Sequence, residues 1–333
     1  MLGYIIRRLV NAVITVIVIS AVAFGIFFVV PVVTGTDPAL MYVGKTADAA
    51  AIEGARQKMG MDKPIPVQYA EFLKGIVVGR DYSDGTEVTH CSAPCLGYSF
   101  KTEQEVWPLL LDRIPVTAQL AVGAAVLWLL IGVSTGIISA LRKGSAVDRT
   151  AMTVALAGVS LPINFTGLLA SAIFVYALGW FPATGDVGML EDPVTWFQSM
   201  LLPWITLAFL FAALYARLTR ASMLEVMGED YIRTARAKGL KEKTVVTKHA
   251  LRSTLVPILT VFGLDLGQLM GGAVLTERVF NLRGMGYEAV GAINQGDLPI
   301  ILGVTMFAAI FVVLANLLVD LLYAVLDPRV KLA

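Results

Sequence analysis

Between Leu9 and Val33 the chain carries no charged side chain, and five more stretches of similar length are almost as clean: Val116–Leu141, Met152–Leu178, Phe197–Tyr215, Leu255–Leu275 and Leu298–Leu326. About 20 apolar residues are what an α-helix needs to cross a hydrocarbon core of roughly 30 Å. Hydrocarbon offers the backbone no hydrogen-bonding partner, so each stretch must be helical. Composition agrees: 57% of the 333 residues are hydrophobic and mean hydropathy is +0.74. Only 15% are charged, where a soluble domain carries about 25%. The expected fold is therefore all-α and integral to the membrane, with six transmembrane helices. Arg7 and Arg8 precede the first run as in a secretion signal. That run is longer than the roughly 7–15 apolar residues of a cleavable leader and lacks its small-residue cleavage site, so it reads as a retained first helix. Leu161-Pro162-Ile163-Asn164 should kink or break the third.

Basic residues orient such a bundle. Arg7, Arg8, Arg142, Lys143, Arg149, Arg217, Arg220, the cluster from Arg233 to Arg252, Arg329 and Lys331 fall on one side. The short loops opposite hold Arg278 and Arg283 alone. The basic side is expected to face the cytoplasm, with both termini inside. The expected organisation is an N-terminal segment with the first span (1–33), an extracytoplasmic loop domain (34–115) and a membrane core (116–333) containing a cytoplasmic connection, 216–254. A net charge of +1 gives no reason to expect a nucleic-acid partner.

Cys91 and Cys95 lie in the outer loop within His90-Cys91-Ser92-Ala93-Pro94-Cys95. Outside the cytoplasm a disulfide is the favoured reading. A metal site with His90 and a pair of free thiols are the alternatives, the metal site short of a fourth ligand. Ala39–Thr46 (Ala-Leu-Met-Tyr-Val-Gly-Lys-Thr) imitates a phosphate-binding loop. It follows a membrane helix instead of a buried strand, so the backbone cradle for phosphate is not expected. No zinc-protease helix occurs, and no convincing catalytic pair shares one membrane depth.

The richest segment is Ala216–Thr254. Asp230 is expected to cap a short helix, Tyr231–Lys238, with Gly239 as its terminator. Tyr231, Thr234, Ala235 and Lys238 would share one face. Such a helix suits a membrane surface, anionic lipid or a cleft on a partner protein. The stretch from Asp230-Tyr231-Ile232-Arg233-Thr234-Ala235-Arg236-Ala237-Lys238-Gly239-Leu240 to His249-Ala250-Leu251-Arg252 resembles the coupling motif of ABC-importer permeases, more narrowly their dipeptide/oligopeptide branch. Gly239 and Leu251 keep the spacing of Glu-Ala-Ala, three residues, Gly, nine residues, Ile-x-Leu-Pro. Arg233-Thr234-Ala235 stands for the first triplet, and His249 and Arg252 replace Ile and Pro. Tyr4–Leu9, Thr36–Ala39, Pro64–Tyr69, Arg113–Thr117, Gly272–Gly286 and Asp327-Pro328-Arg329 are similar to further elements of that branch, in order. Gly79–Cys95 is an insertion to which the resemblance assigns nothing.

The resemblance implies a type I ABC importer permease fold in a prokaryotic cell membrane. It implies a second, similar permease, two ATPase subunits that hold ATP and Mg, and an extracytoplasmic solute-binding protein. The chain itself would be no enzyme and would bind no cofactor or metal. Arg233, Thr234, Ala235, Arg236 and Gly239 would contact the ATPases; the alternative is a solvated basic face beside membrane lipid. Polar groups in spans are functional candidates: Asn164, Asp265, Gln268, Asn316 and Asp320 would line the pathway, or form structural hydrogen bonds. Glu277, Val279, Phe280, Gly284 and Gly286 would form an outer gate touching the binding protein, with Phe280 alternatively an interfacial anchor. Peptides are the expected cargo. Nickel chelates, oligosaccharides or haem suit the same architecture, and a non-transporting scaffold is the remaining rival.

Overall fold

The computed structural model describes residues 2–35, 39–40, 48–83, 88–183 and 188–326. Asp327–Arg329 and nearly all of the phosphate-loop imitation therefore lie outside the described residues. Helix α1 (Leu2–Phe24) continues through a π-helical turn, Gly25–Val29, into Val30–Val33. Helices α2 (Ala49–Lys58) and α3 (Ile65–Val78) follow, then strands β1 (Arg80–Ser83), β2 (Val88–Cys91), β3 (Tyr98–Ser99) and β4 (Gln104–Glu105). Helix α4 (Val106–Trp128) runs through a π turn, Leu129–Val133, into Ser134–Leu141. The remaining helices are α5 (Ala146–Ser160), α6 (Ile163–Ala170, extended by Ser171–Ala177), α7 (Pro193–Met227), α8 (Asp230–Ala237), α9 (Leu251–Met270, preceded by Glu242–Thr244 and a π-helical stretch, Val245–Ala250), α10 (Val274–Val279), α11 (Met285–Gln295) and α12 (Leu298–Leu326).

Among the described residues, five helices are long and apolar enough to cross a membrane, six if α5 and α6 form one span. Those two are bent by 100°, because Pro162 takes an extended backbone (φ −61°, ψ 136°) and starts a new helix. The exposure of α1 is inverted relative to a soluble helix. Val13, Val18, Val22 and Ile26 are all more than half exposed, as a helix facing lipid requires.

Four expectations need correction. The segment expected to lie outside is not all-α: β1 pairs antiparallel with β2, and β3 with β4. Backbone outside hydrocarbon can use short hairpins because water satisfies their edges. The outer domain was expected to end at 115, but α4 already starts at Val106 and carries Pro115 inside it. A helical extension beyond the apolar stretch needs no apolar sequence, and Arg113 there finds Glu288 at 3.1 Å. Helix α7 likewise outlasts its apolar stretch by a dozen residues, to Met227. At the other end α9 stops at Met270 instead of reaching 275. The chain turns there through Gly272 at φ +121°, where a Cβ would lie 2.5 Å from the Gly286 nitrogen.

The chain packs as two compact units, Met1–Thr117 with Met270–Val274 and Arg283–Leu314, and Ala118–Leu269 with Leu275–Leu282 and Ala315–Ala333. In the first, Phe24 of α1, Phe72 of α3 and Leu302 and Met306 of α12 form one core. Val106, Leu109 and Leu110 of α4 meet Met285, Ala292, Ile300 and Val304 in another. The Met285 N–H donates to Thr117 Oγ1 at 2.8 Å, and the buried Ser99 hydroxyl to the buried Asp297 carboxylate. In the second unit, Gly132 and Gly136 of the α4 extension, four residues apart, let α7 approach closely. A Cβ on Gly132 would lie 2.8 Å from the Ala212 carbonyl, and one on Gly136 2.6 Å from that of Ala216. This is the small-residue spacing by which membrane helices gain close van der Waals contact.

Candidate functional site

The basic connection folds as a platform beneath the ends of α4, α7 and α9. Helix α8 is entered through Glu229, and Asp230 sits in its first turn. Asp230 is therefore not the cap expected; its carboxylate accepts from Arg233 Nη1 at 3.3 Å, in full solvent. The C-terminal end follows expectation in detail. Gly239 takes φ +75°, its N–H donates to the Arg236 carbonyl at 2.9 Å, and the Leu240 N–H reaches the Ala235 carbonyl at 3.4 Å. This paired arrangement satisfies the last carbonyls and needs a left-handed residue, which glycine supplies without strain.

Of the residues expected to contact a partner, Ala235 lies on the buried face of α8. Ile232, 0% exposed, and Ala235, 6% exposed, point into a core with Ala140, Met223, Val245 and Ala250. Tyr231, Thr234 and Lys238 are exposed. Ala235 thus fastens the helix to its own chain and is no surface contact. Ile232, not singled out from the sequence, is the main anchor; an i, i+3 search for apolar pairs would have found it. The outward face presents Arg233, Thr234, Arg236 and Gly239. Arg236 forms a two-pronged pair with Glu242, Nη2 to Oε1 at 2.7 Å and Nε to Oε2 at 3.1 Å. Being exposed, the pair orients the guanidinium more than it stabilises the fold.

Asp148 is a second feature the spans did not reveal. Ser145 caps α5, its Oγ accepting from the Asp148 N–H at 3.2 Å. The Asp148 carboxylate accepts from Arg220 Nε at 2.7 Å and Nη2 at 2.8 Å, from the Gly144 N–H at 2.9 Å and from the Ser139 hydroxyl. This ties α4, α5 and α7 together. The Ser-x-x-Asp spacing at 145–148 was the available signal.

Asp265 receives a hydrogen bond from the Tyr215 hydroxyl at 2.8 Å, beside Trp128, which stacks on Phe211 and lies near Phe262. Gln268 and Asn164 are exposed and Asn316 half-buried. No hydrogen bond joins these four to one another among the described residues, and the side chain of Asp320 lies outside them. The outer-gate residues are mostly inaccessible. Glu277 is fully buried, Phe280 is 3% exposed, and Gly284 and Gly286 are buried. Val279 and Phe280 pack over Gly167 of α6, where a Cβ would be 2.9 Å from Val279 Cγ1. A partner cannot reach these side chains in this conformation, and Phe280 is no interfacial anchor.

In the 79–95 insertion Cys91 and Cys95 are joined as a disulfide. Both sulfurs are thereby committed, and His90 Nδ1 lies 2.5 Å from Asp81 Oδ1 instead of facing them. Tyr82, Tyr98 and Phe100 pack beside the disulfide. Burial pushes the Tyr82 phenol above its ordinary value, against the adjacent Arg80 guanidinium. Among the described residues no three His, Cys, Asp or Glu side chains gather where a metal could sit.

Long apolar helices, one pair of them bent at a proline, define a polytopic membrane protein. Comparison with known sequences names the family. The family described as "Binding-protein-dependent transport system inner membrane component" matches residues 132–332, and its N-terminal counterpart matches 1–121. The chain belongs to this family: it is a multi-pass inner-membrane subunit of an ABC transport system and not an enzyme, ATP hydrolysis residing in a separate subunit. It is 36% identical over 331 residues to a putative peptide transport system permease of Brucella abortus (strain 2308), covering 99% of each. It is 37% identical over 331 residues to the glutathione transport system permease of Pectobacterium atrosepticum, again covering 99% of each. A dipeptide transport system permease of Alkalihalophilus pseudofirmus is 37% identical over 357 residues, with 99% of this chain and all of that one covered. Among solved structures, an inward-facing form of the MetNI methionine ABC transporter aligns with TM-score 0.49 and 16% identity, covering 66% of this chain and 97% of that one.

Proposed function

We propose that this chain forms one half of the translocation pathway of an ATP-driven peptide importer, crossing the membrane six times with both termini in the cytoplasm. The observation that carries the reading is the end-to-end match to permeases named for peptide, dipeptide and glutathione transport. Its partners in this reading are a second permease subunit, two ATPases and an extracytoplasmic binding protein, and the chain holds no cofactor itself. Residues 34–115 make the outer domain, and 216–254 the connection to the motor.

In this mechanism α8 is the coupling element. Arg233, Thr234, Arg236 and Gly239 contact an ATPase, while Ile232 and Ala235 hold the helix to the ends of α4, α7 and α9. Closure of the ATPases on ATP then moves α8 and, through the packed helices, opens the pathway outward, as alternating access requires. Asp265, Gln268, Asn164, Asn316 and Asp320 are the polar groups proposed to line that pathway. Glu277 and Phe280 support the outer gate from within.

The test is reconstitution of the chain with its partners in vesicles and measurement of ATP-dependent uptake over a solute panel. Accumulation of di- and oligopeptides is expected. Uptake of nickel chelates, oligosaccharides or haem with no peptide uptake would refute the cargo assignment, and no ATP-dependent uptake at all would refute the transport role.

A further inference from the structure

Asp265 is the one charged residue between Arg252 and Glu277, 13 positions from the first and 12 from the second. Trp128 of α4, whose ring lies 6.3 Å from that of Phe262 on α9, is placed in the same way. It stands 15 positions after Arg113 and 14 before Arg142, with no charge between. Both helices thus put this layer near the middle of a run long enough to cross hydrocarbon. A carboxylate at that depth is costly unless it is paired or neutral. No Lys, Arg or His occurs in any of the six apolar stretches, so the spans of this chain supply no cation for it.

The side chain is held from behind and open in front. Fully buried Tyr215 of α7 donates its hydroxyl to Asp265 Oδ2 at 2.8 Å, its ring 6.1 Å from that of Trp128. Asp265 itself is half-buried, and Gln268, one turn on and on the same face of α9, is exposed. Asp265 Oδ1 and the Gln268 amide make no hydrogen bond among the described residues. A charged acceptor and an amide with both donor and acceptor therefore stand side by side. Peptides differ in their side chains but share an α-ammonium next to a first peptide group. A pathway that carries many of them can grip that common part without selecting among side chains. A carboxylate makes a charge-assisted bond to an ammonium, and an amide pairs in both directions with a peptide group.

We propose that Asp265 and Gln268 form the pathway's site for the amino-terminal end of a peptide. Asp265 accepts from the α-ammonium, and Gln268 pairs with the first peptide group. Tyr215 is a positioning residue that keeps the carboxylate turned toward the cargo. This rests on the peptide reading above and adds which end of the cargo is held, and by which groups.

The experiment gives the reconstituted importer tri-alanine or its desamino analogue, in which hydrogen replaces the amino group, each at a concentration that saturates the binding protein. Asp265→Asn should lower tri-alanine uptake about tenfold, the worth of one hydrogen bond to a charged group, and desamino uptake less than about twofold. Asp265→Glu, longer but still a carboxylate, should stay within about threefold of wild type. Tyr215→Phe should lower tri-alanine uptake about threefold alone and add nothing to Asp265→Asn, because it acts through the carboxylate. Equal slowing of both cargoes by Asp265→Asn, with no rescue by Asp265→Glu, would make Asp265 a structural residue and overturn the proposal. Unchanged tri-alanine uptake in Asp265→Asn, which mimics a neutral acid, would place a proton there and overturn it. Loss of the second permease subunit from the purified Asp265→Asn complex would assign the cation to that subunit and overturn it as well. A wild-type importer that accumulates no peptide refutes the cargo reading; one that does, with Asp265→Asn its equal, refutes this inference alone.

Discussion

Truncating Ile232 should loosen α8 without touching its outward face, which separates mechanical attachment from partner contact. Ile232 is fully buried and is the largest apolar side chain that this eight-residue helix places in the core; the other buried residue, Ala235, offers a single methyl. Helices this short have almost no stability of their own, so packing supplies nearly all of it. Ile→Ala at such a site removes about 2–5 kcal/mol, and Ile→Val about 1 kcal/mol. Because α8 is anchored so thinly, the loss should fall on local opening and not on the whole bundle. At roughly 1.4 kcal/mol per tenfold, Ile232→Val should raise the open population about fivefold and Ile232→Ala at least about 25-fold. Amide hydrogen exchange across 231–240 in nanodiscs reads this directly, with the amides of α7 as internal reference. In the reconstituted importer the same series should lower solute moved per ATP hydrolysed in the same rank order. Exchange rates that stay flat across Ile, Val and Ala would refute the anchoring argument. A graded rise in exchange with unchanged coupling would leave the anchor standing and remove α8 from the transmission path.

Gly239 and Asp192 supply two more tests. A Cβ on Gly239 would meet nothing within 4 Å, so the cost of substitution comes from φ +75° alone, about 1–2 kcal/mol for an ordinary L-residue. Gly239→Asn, which tolerates that conformation, should keep coupling, and Gly239→Val should lose it, measured as uptake per ATP; equal loss in both would locate the effect in surface bulk instead of backbone. Asp192 caps α7, its carboxylate accepting from the Thr195 hydroxyl at 2.6 Å and from the Thr195 and Val194 N–H groups at 3.1 Å each. These bonds, the Thr195 hydroxyl foremost, hold the carboxyl below its ordinary 3.8. A depressed folded value means the cap's stabilisation is present above 3.8 and is lost as pH falls through the folded value. Exchange at Val194 and Thr195 should therefore rise under acid in wild type and be raised already at neutral pH in Asp192→Ala; a pH-independent profile in wild type would refute this.

The membrane helices were legible because hydrocarbon leaves one solution for a long apolar run, and Pro162 announced the break between α5 and α6 for an equally local reason. What escaped lay where polar sequence is helical for tertiary reasons. The start of α4 ahead of its apolar stretch rests on Arg113 meeting Glu288, 175 residues away, and no local pattern encodes such a pair. The extension of α7 past Tyr215 rests on Arg220 meeting Asp148 and on Met223 entering the core beneath. The hairpins from Arg80 to Glu105 are too short to register as strands, and the register Arg80↔Cys91 becomes visible only once the chain has turned. At α8 the terminator Gly239 was readable because backbone geometry demands it. The buried face was not, because Tyr231/Thr234/Ala235 and Ile232/Ala235 are both acceptable stripes until the partner core is known.

That ambiguity bears on mechanism. A coupling element must be gripped by two bodies at once, so its faces cannot both be optimised for the same one. Helix α8 divides them: Ile232 and Ala235 inward, Arg233 and Arg236 outward, with Gly239 ending the helix before it turns back toward α9. Inward anchoring runs through Met223 on α7 and Ala140 at the end of the α4 extension. Those are the same two elements that Gly136 brings into contact and that Asp148 ties to α5. A displacement of α8 therefore meets a continuous packed path into the spans, with no loop between to absorb it. If α8 moves as a lever, separating α4 from α7 should uncouple the machine even with α8 intact. Gly136→Val, whose Cβ would sit 2.5 Å from Thr219 Cβ, is the substitution that separates them, and it leaves every outward residue of α8 unchanged.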